Sequence, residues 1–400
     1  MDASLFVFAV DLVDTGFAGA LDEIRDRSGA RGVSLATAYH NARDVLPHNP
    51  VRKVYFHDGG TVLFRPEPAR YGKLVPVEDS LQREQDVLAM LCGAADVRGM
   101  TTRAWTVYLH NSRLATAHPE CAPRNAYGDR YLTDLCPANQ EVRRYAVALT
   151  GDICRYPVSS IFAEALHFRT IDHGYHHERT FVDMGPVARF LLGLCFCESC
   201  RQAAGRHGVD GDQLQANVAR YLDGVFEVGT GGHDPLTQEA LVDVIGEELV
   251  GFVAARLETV STLVDEVADT ARAAGVRFTY SAHGGSAKGG STRSSDSPME
   301  AWVLGVDLSR VASLVDDFEI LGYVAEAEDL RHLIAGYLDE IDDVEFGVGL
   351  RPMWPDTVSA ASLMDKVRVA RAAGASRVDF YHYGLMPSRS LDWIGSALSG

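Results

Sequence analysis

Short runs rich in β-branched and aromatic residues alternate along this chain with longer stretches of helical periodicity. Eight such runs stand out, at residues 5–10, 32–38, 102–109, 158–166, 276–281, 318–323, 344–350 and 377–383. Several follow a helical stretch that ends in glycine (Gly29, Gly275, Gly374), where a left-handed C-cap turns the chain into the next strand. The alternation is the signature of βα units around a parallel sheet, and eight units favour a closed (β/α)8 barrel, a TIM barrel, over an open doubly wound sheet. No G-x-G-x-x-G follows any of the strands, which also weighs against a dinucleotide-binding fold.

Two departures from a minimal barrel are expected. Residues 51–64 alternate around Asp58-Gly59-Gly60 and read as a β-hairpin inserted after strand two. About a hundred residues separate strands four and five, and they carry a cysteine cluster followed by helices, an insertion at 185–272. Helical patterns cover 211–228 and 235–274, the second too long for one ordinary helix and expected to break near Gly246 or Gly251. The Gly- and Ser-rich segment 284–297 reads as a lid after strand five. The whole is expected to be one domain, 1–400.

Composition narrows the class. With 46% hydrophobic and 23% charged residues, the 400-residue chain has the material for a large core. A net charge of −18 argues against nucleic acid or an anionic membrane surface as a partner. The N-terminus has no basic region and meets Asp11 early, so it reads as a first strand rather than a signal peptide. No apolar run approaches the ~20 residues of a membrane span. Seven cysteines, three of them within six positions, fit a reduced compartment better than a disulfide framework. The expectation is a cytoplasmic protein without an organic cofactor, with homo-oligomerisation left open.

Barrel enzymes build their sites at the C-terminal ends of the strands. In this chain those ends carry Asp11 and Asp14; Tyr39, His40 and Arg43; His110, Asn111 and Arg113; Glu164 and His167, with His173, His176, His177 and Glu178 behind; His283; Tyr323 and Glu326; Arg351; and Tyr381 and His382. Rings beside hydrogen-bonding groups suit a sugar-like ligand, whose C–H faces pack on aromatics while its hydroxyls need partners. Glu164 closes a buried apolar strand beside Phe162 and Leu166, where desolvation raises a carboxyl pKa as a general acid requires. The cluster Cys195-Phe-Cys197-Glu-Ser-Cys200 places three thiols at a spacing that suits a soft metal.

Between Trp105 and Cys200 the chain resembles the glycoside hydrolase superfamily of (β/α)8 barrels. The carrying segments are Thr106-Val-Tyr-Leu-His-Asn-Ser-Arg113, Tyr127–Arg143 with its Cys136-Pro-Ala-Asn139, Ile161-Phe-Ala-Glu-Ala165 and Leu194-Cys-Phe-Cys-Glu-Ser-Cys200. Their order is also similar to family 42 β-galactosidases, which hold a structural zinc through one early cysteine and a later C-x-C-x-x-C. The resemblance implies zinc ligation by Cys136, Cys195, Cys197 and Cys200, and an acid/base role for Glu164. The chain departs from that pattern at strand seven, where Gly347-Val-Gly-Leu-Arg351 stands in place of a nucleophilic Glu, and at Ala163, where Asn is common.

The leading expectation is therefore a glycoside hydrolase-like enzyme acting on a carbohydrate or similar polyhydroxylated substrate. Such chemistry needs two carboxyl groups, ~5 Å apart for retention and ~6.5–9.5 Å for inversion. With Glu164 as one, the candidates for the other are Glu326 and Asp317, then Asp14 and Glu178. Tyr39, His40, His110, Asn111, Arg113, His167, His177, His283, Tyr323, Arg351 and His382 are the expected substrate-binding residues. Two alternatives share the barrel: a metal-dependent lyase, isomerase or hydrolase using His167, His176, His177 and His283 with Glu164, and a non-catalytic sugar-binding barrel.

Overall fold

The computed structural model describes residues 1–82, 84–172, 178–282, 298–341 and 343–400. Eight parallel strands close into a barrel: β1 (Asp2–Val7), β2 (Gly32–Tyr39), β3 (Thr101–Val107), β4 (Ser160–Glu164), β5 (Arg277–Ala282), β6 (Asp317–Leu321), β7 (Phe346–Leu350) and β8 (Arg377–Phe380). Each pairs in parallel with its neighbours in sequence, and β1 closes the ring by pairing with both β2 and β8. Every one falls within or beside a run read from the sequence. The first is shorter than expected, because the Asp11 carboxylate accepts the Phe8 backbone N–H at 3.0 Å and starts the helix Ala9–Thr15. Asp11 is buried and its carboxyl is pushed up to about 7 by desolvation.

The hairpin after β2 forms with a different pairing from the one expected. Val54–Phe56 runs antiparallel to Arg43–Val45, while Thr61–Val62 turns back along the end of β2. Asp58-Gly59-Gly60 is not the hairpin turn. It presses against the ends of β2 and β3: a Cβ on Gly59 would lie 1.9 Å from Asn41 Oδ1, and one on Gly60 2.3 Å from Asn111 Oδ1. Arg113 holds the segment there through Asp58 and through the Gly59 carbonyl.

Between β4 and β5 lie the helices Gly185–Gly193, Glu198–Arg206, Gly211–Val228, Gln238–Val244 and Glu248–Ala273. The expected break falls at Gly246, whose φ of +120° few other residues adopt. The long helix ties the insertion to the barrel. Its first turns (Leu249, Phe252, Val253) pack in an apolar cluster with Leu191, Phe196, Leu214 and Leu222, and its later turns (Val260, Leu263, Val264, Val267) join the barrel core. No helix among the described residues is long and apolar enough to cross a membrane. The expected lid at 284–297 lies outside the described residues.

The lower barrel is filled with charge rather than with the usual branched aliphatics. Arg103 reaches Asp379 at 2.5 Å, and Arg377 reaches Asp317 at 2.9 Å, Glu319 at 2.8 Å and Asp379 at 2.8 Å. Ser160 and Thr279 accept the remaining Arg103 donors, and Thr279 donates onward to Asp317. All three carboxylates are buried. Burial and the nearby Asp379 push the Glu319 carboxyl well up, whereas the two guanidiniums outweigh burial and keep Asp379 low.

The space for this network comes from β7, whose inward positions are glycines. A Cβ on Gly347 would sit 2.4 Å from Glu319 Oε2 and 2.6 Å from Arg377 Nη2, and one on Gly349 3.2 Å from Glu319 Oε1. Gly347→Ala should therefore destabilise the fold by ~1–3 kcal/mol, and Gly349→Ala by less. Urea-unfolding midpoints check the order; equal midpoints for both variants and wild type would contradict the tight packing of this layer.

Candidate functional site

Above the charged layer the interior becomes aromatic. Phe6, Trp105 and Phe162 pack edge to face, with Phe6 centroids 5.0 Å from Trp105 and 5.1 Å from Phe162. Glu164, the last residue of β4, rises from this layer, and Trp105 Nε1 donates to its Oε2 at 2.6 Å. Burial pushes the Glu164 carboxyl above its ordinary value, while the indole N–H and the Arg169 charge pull it down. The next residue, Ala165, has φ 55°, a left-handed conformation uncommon outside glycine, and it turns the chain sharply after Glu164.

Three tyrosines converge on the same mouth from other strands. Tyr39 closes β2, Tyr381 follows β8 and Tyr323 follows β6; Tyr323 and Tyr381 rings lie 5.7 Å apart. All three phenols are pushed up, first by burial and in part by the Glu164 charge. The Arg351 guanidinium covers the Tyr323 ring at 4.3 Å and is fixed by Asp356 at 2.5 Å. His40 stacks on Tyr39 at 4.2 Å and on His110 at 4.7 Å, and burial pushes its pKa down to about 4, so the ring is neutral.

Of the residues expected to bind substrate, Tyr39, His40, His110, Tyr323 and Arg351 thus gather around Glu164. His382 is fully buried against Phe8, with centroids 3.8 Å apart, accepts the Gly384 N–H and is held neutral by desolvation. Asn111 caps the helix Ser112–Ala117, and Arg113 holds Asp58 and Gly59, so both shape the loops. His167 is buried, with Nδ1 2.6 Å from the Phe168 carbonyl. His173, His176, His177 and His283 lie outside the described residues.

The expected second carboxylates fall elsewhere. Asp317 is the first residue of β6, at the end of the strand away from the mouth, and it is consumed by Arg377 in the lower layer. Glu326 is exposed just before the helix Ala327–Ile341 and lies near Lys366. Asp14 anchors Arg52 and Asn49 of the hairpin loop.

Three contributors were not foreseen. Asp44, on the hairpin strand Arg43–Val45, accepts from His57 Nε2 at 2.8 Å, and its charge is felt by both Tyr39 and Tyr381. Trp105 supplies the donor to Glu164, and Arg169 donates to His110 at 3.3 Å. The inward period-two positions Arg103 and Trp105 carried a signal for Trp105 in the sequence; Asp44, on a three-residue strand, and Arg169, on a loop, had none.

Across the loop after β4, the four sulfurs of Cys136, Cys195, Cys197 and Cys200 lie within 4.8 Å of one another. Cys136 is 3.6 Å from Cys197, 3.5 Å from Cys200 and 3.8 Å from Cys195. Zn–S bonds of about 2.3 Å in a tetrahedron put the sulfurs ~3.8 Å apart, so the group has the donors and spacing to hold a metal. All seven cysteines are free thiols.

No family model and no curated protein sequence matches this chain. Among solved structures, a β-galactosidase from the psychrophilic Marinomonas ef1 superposes with a TM-score of 0.57 at 12% identity, over 100% of this chain and 59% of its own. An α-L-fucosidase isoenzyme 2 from Paenibacillus thiaminolyticus gives 0.56 at 14% identity, over 100% of this chain and 49% of its own. The catalytic domain of a β-amylase from Paenibacillus polymyxa gives 0.54 at 10% identity, over 98% and 94%. The structural neighbours are glycoside hydrolases, and at these identities the likeness shows the shared barrel fold. The chain spans 49–59% of the first two.

Trp105→Phe removes the donor to Glu164 while keeping an aromatic ring in the layer. The Glu164 carboxyl should then titrate higher than in the wild type, because a hydrogen bond that favours its charged form is gone. Carbon-13 NMR of labelled glutamate checks this; an unchanged or lower pKa contradicts the assigned contact.

Proposed function

We propose that this protein is a glycoside hydrolase-like enzyme acting on a carbohydrate, with Glu164 as its proton-transferring carboxyl group. The supporting observation is the setting of Glu164: a strand-end carboxyl raised by burial, gripped by one indole N–H and facing three tyrosines. A carboxyl that holds its proton more tightly than an ordinary glutamate is what donation to a leaving glycosidic oxygen requires. The rings offer packing surfaces for sugar C–H faces, and His40, His110 and Arg351 offer hydrogen bonds to hydroxyls.

Cleavage needs a second carboxyl group. Asp44 fits that role best. It is oriented by His57, and its charge bears on the same Tyr39 and Tyr381 phenols as that of Glu164. On this reading the second group belongs to the hairpin after β2 and not to the end of β7, where Arg351 stands.

Glu164→Gln keeps the side-chain shape and removes the proton. The variant should fold with an unchanged circular dichroism spectrum and lose at least ~10²-fold in turnover on an aryl-glycoside panel. The wild type should work best below the Glu164 pKa and lose activity as pH rises through it, since the protonated form is the active one. That limb should vanish in the variant. Wild-type rates in Glu164→Gln overturn the assignment, and sugar binding without turnover in the wild type points to a non-catalytic barrel.

The four cysteines are proposed to hold one structural zinc, donating folding energy rather than chemistry. Metal analysis should give one zinc per chain, and Cys200→Ser should lose it and melt at lower temperature. Turnover should be insensitive to a brief chelator treatment. Chelator-sensitive turnover with the fold intact would instead favour a catalytic metal.

A further inference from the structure

Beyond the mouth, a cavity of about 330 Å³ opens between the loop after β4 and the cysteine cluster. Its lining includes Tyr131, Asp134, Phe168, Arg169, Thr170 and Cys195. Asp134 is 2% exposed, so this wall is built into the protein rather than laid on its surface. Arg169 is common to both spaces. It lines the cavity and donates to His110, which stacks through His40 onto Tyr39 beside Glu164.

Three lining residues leave buried polar atoms without a hydrogen bond among the described residues: Asp134 Oδ1, Arg169 Nε and Thr170 Oγ1. Asp134 Oδ1 and Arg169 Nε face each other at 3.4 Å, an ion pair too poorly aligned to be a hydrogen bond. Buried polar atoms in native proteins are nearly always satisfied, and an unsatisfied group costs ~1–3 kcal/mol. Here one acceptor, one charged donor and one hydroxyl that does either stand together in a single cavity. Vicinal hydroxyls of a sugar match that set, because each hydroxyl donates to a carboxylate while accepting from a guanidinium. Tyr131 and Phe168 supply apolar surface for the ring. The volume suits one sugar unit and lies within the range of small-molecule sites.

We propose that this cavity is a second sugar subsite, read by Asp134, Arg169 and Thr170, so that the substrate is an oligosaccharide of at least two units. The inference rests on the carbohydrate reading of the Glu164 mouth. Arg169 acts here as a specificity residue: it positions the second unit relative to Glu164 through the His110–His40 stack and takes no part in bond cleavage.

The test is binding rather than turnover. Isothermal calorimetry on the Glu164→Gln protein would compare glucose, galactose and mannose with cellobiose, lactose and mannobiose. At least one disaccharide should bind about tenfold or more tightly than its monosaccharides. Thr170→Val and Arg169→Met should each abolish the preference for that disaccharide over its monosaccharides, and Thr170→Val, which touches nothing at the Glu164 mouth, should leave the monosaccharide affinity within about twofold. Thr170→Val is nearly isosteric, so it keeps the test alive if the arginine variant folds poorly. Equal affinity for mono- and disaccharides, no sugar binding at all, or a preference that survives both substitutions would overturn the subsite. Disaccharide preference without turnover by the wild type would leave the subsite standing and remove the hydrolase reading. Turnover of aryl monoglycosides without the preference would do the reverse.

Discussion

The ionic layer in the lower barrel is the constraint on which the rest depends. Arg103 from β3 and Arg377 from β8 bind three carboxylates contributed by β6 and β8, and their hydrogen bonds reach β4 and β5 as well. Removing one partner of such a buried set typically costs ~3–5 kcal/mol, because the other charge is left uncompensated. The layer also demands empty space, which the glycines of β7 provide. The same glycines explain why β7 brings no inward carboxylate: side chains there would collide with Glu319 and Arg377.

That arrangement decides what reaches the mouth. The carboxylates of β6 and β8 are absorbed below, so Glu164 on β4 is the one that rises through the aromatic layer. The layer of Phe6, Trp105 and Phe162 excludes water beneath it and raises its pKa, while the Trp105 N–H fixes its orientation. The hairpin after β2 then adds Asp44 and His57 from the side, held in place by Asp14 and Arg113 rather than by its own turn. The insertion after β4 bounds the site on its other flank with Arg169 and the cysteine group.

The strands were legible because a barrel repeats one unit: each repeat carries an apolar run, and several have a glycine-ended helix before it. The break at Gly246 and the helix at Gly211–Val228 were legible for the same local reasons. Pairing partners were not. Asp58-Gly59-Gly60 has the composition of a tight turn, but tertiary contacts with Asn41 and Asn111 recruit it as a packing surface. Asp317 was a candidate only as a carboxylate of the strand-six unit, and the sequence carried no sign that Arg377, sixty residues on, would bind it. The four sulfurs came together as spacing and resemblance implied. Asp44 and Arg169 carried no local signal, since only the closed fold brings them beside the strand ends.

The central claim is that Glu164 delivers a proton to a glycosidic oxygen held among Tyr39, Tyr323 and Tyr381. A crystal structure of the Glu164→Gln protein with an uncleaved oligosaccharide tests it most directly. The account expects the sugar chain across this mouth, with its glycosidic oxygen ~2.6–3.2 Å from the residue 164 amide. A sugar bound elsewhere, or one whose glycosidic oxygen lies beyond reach of residue 164 even through a water, would contradict it.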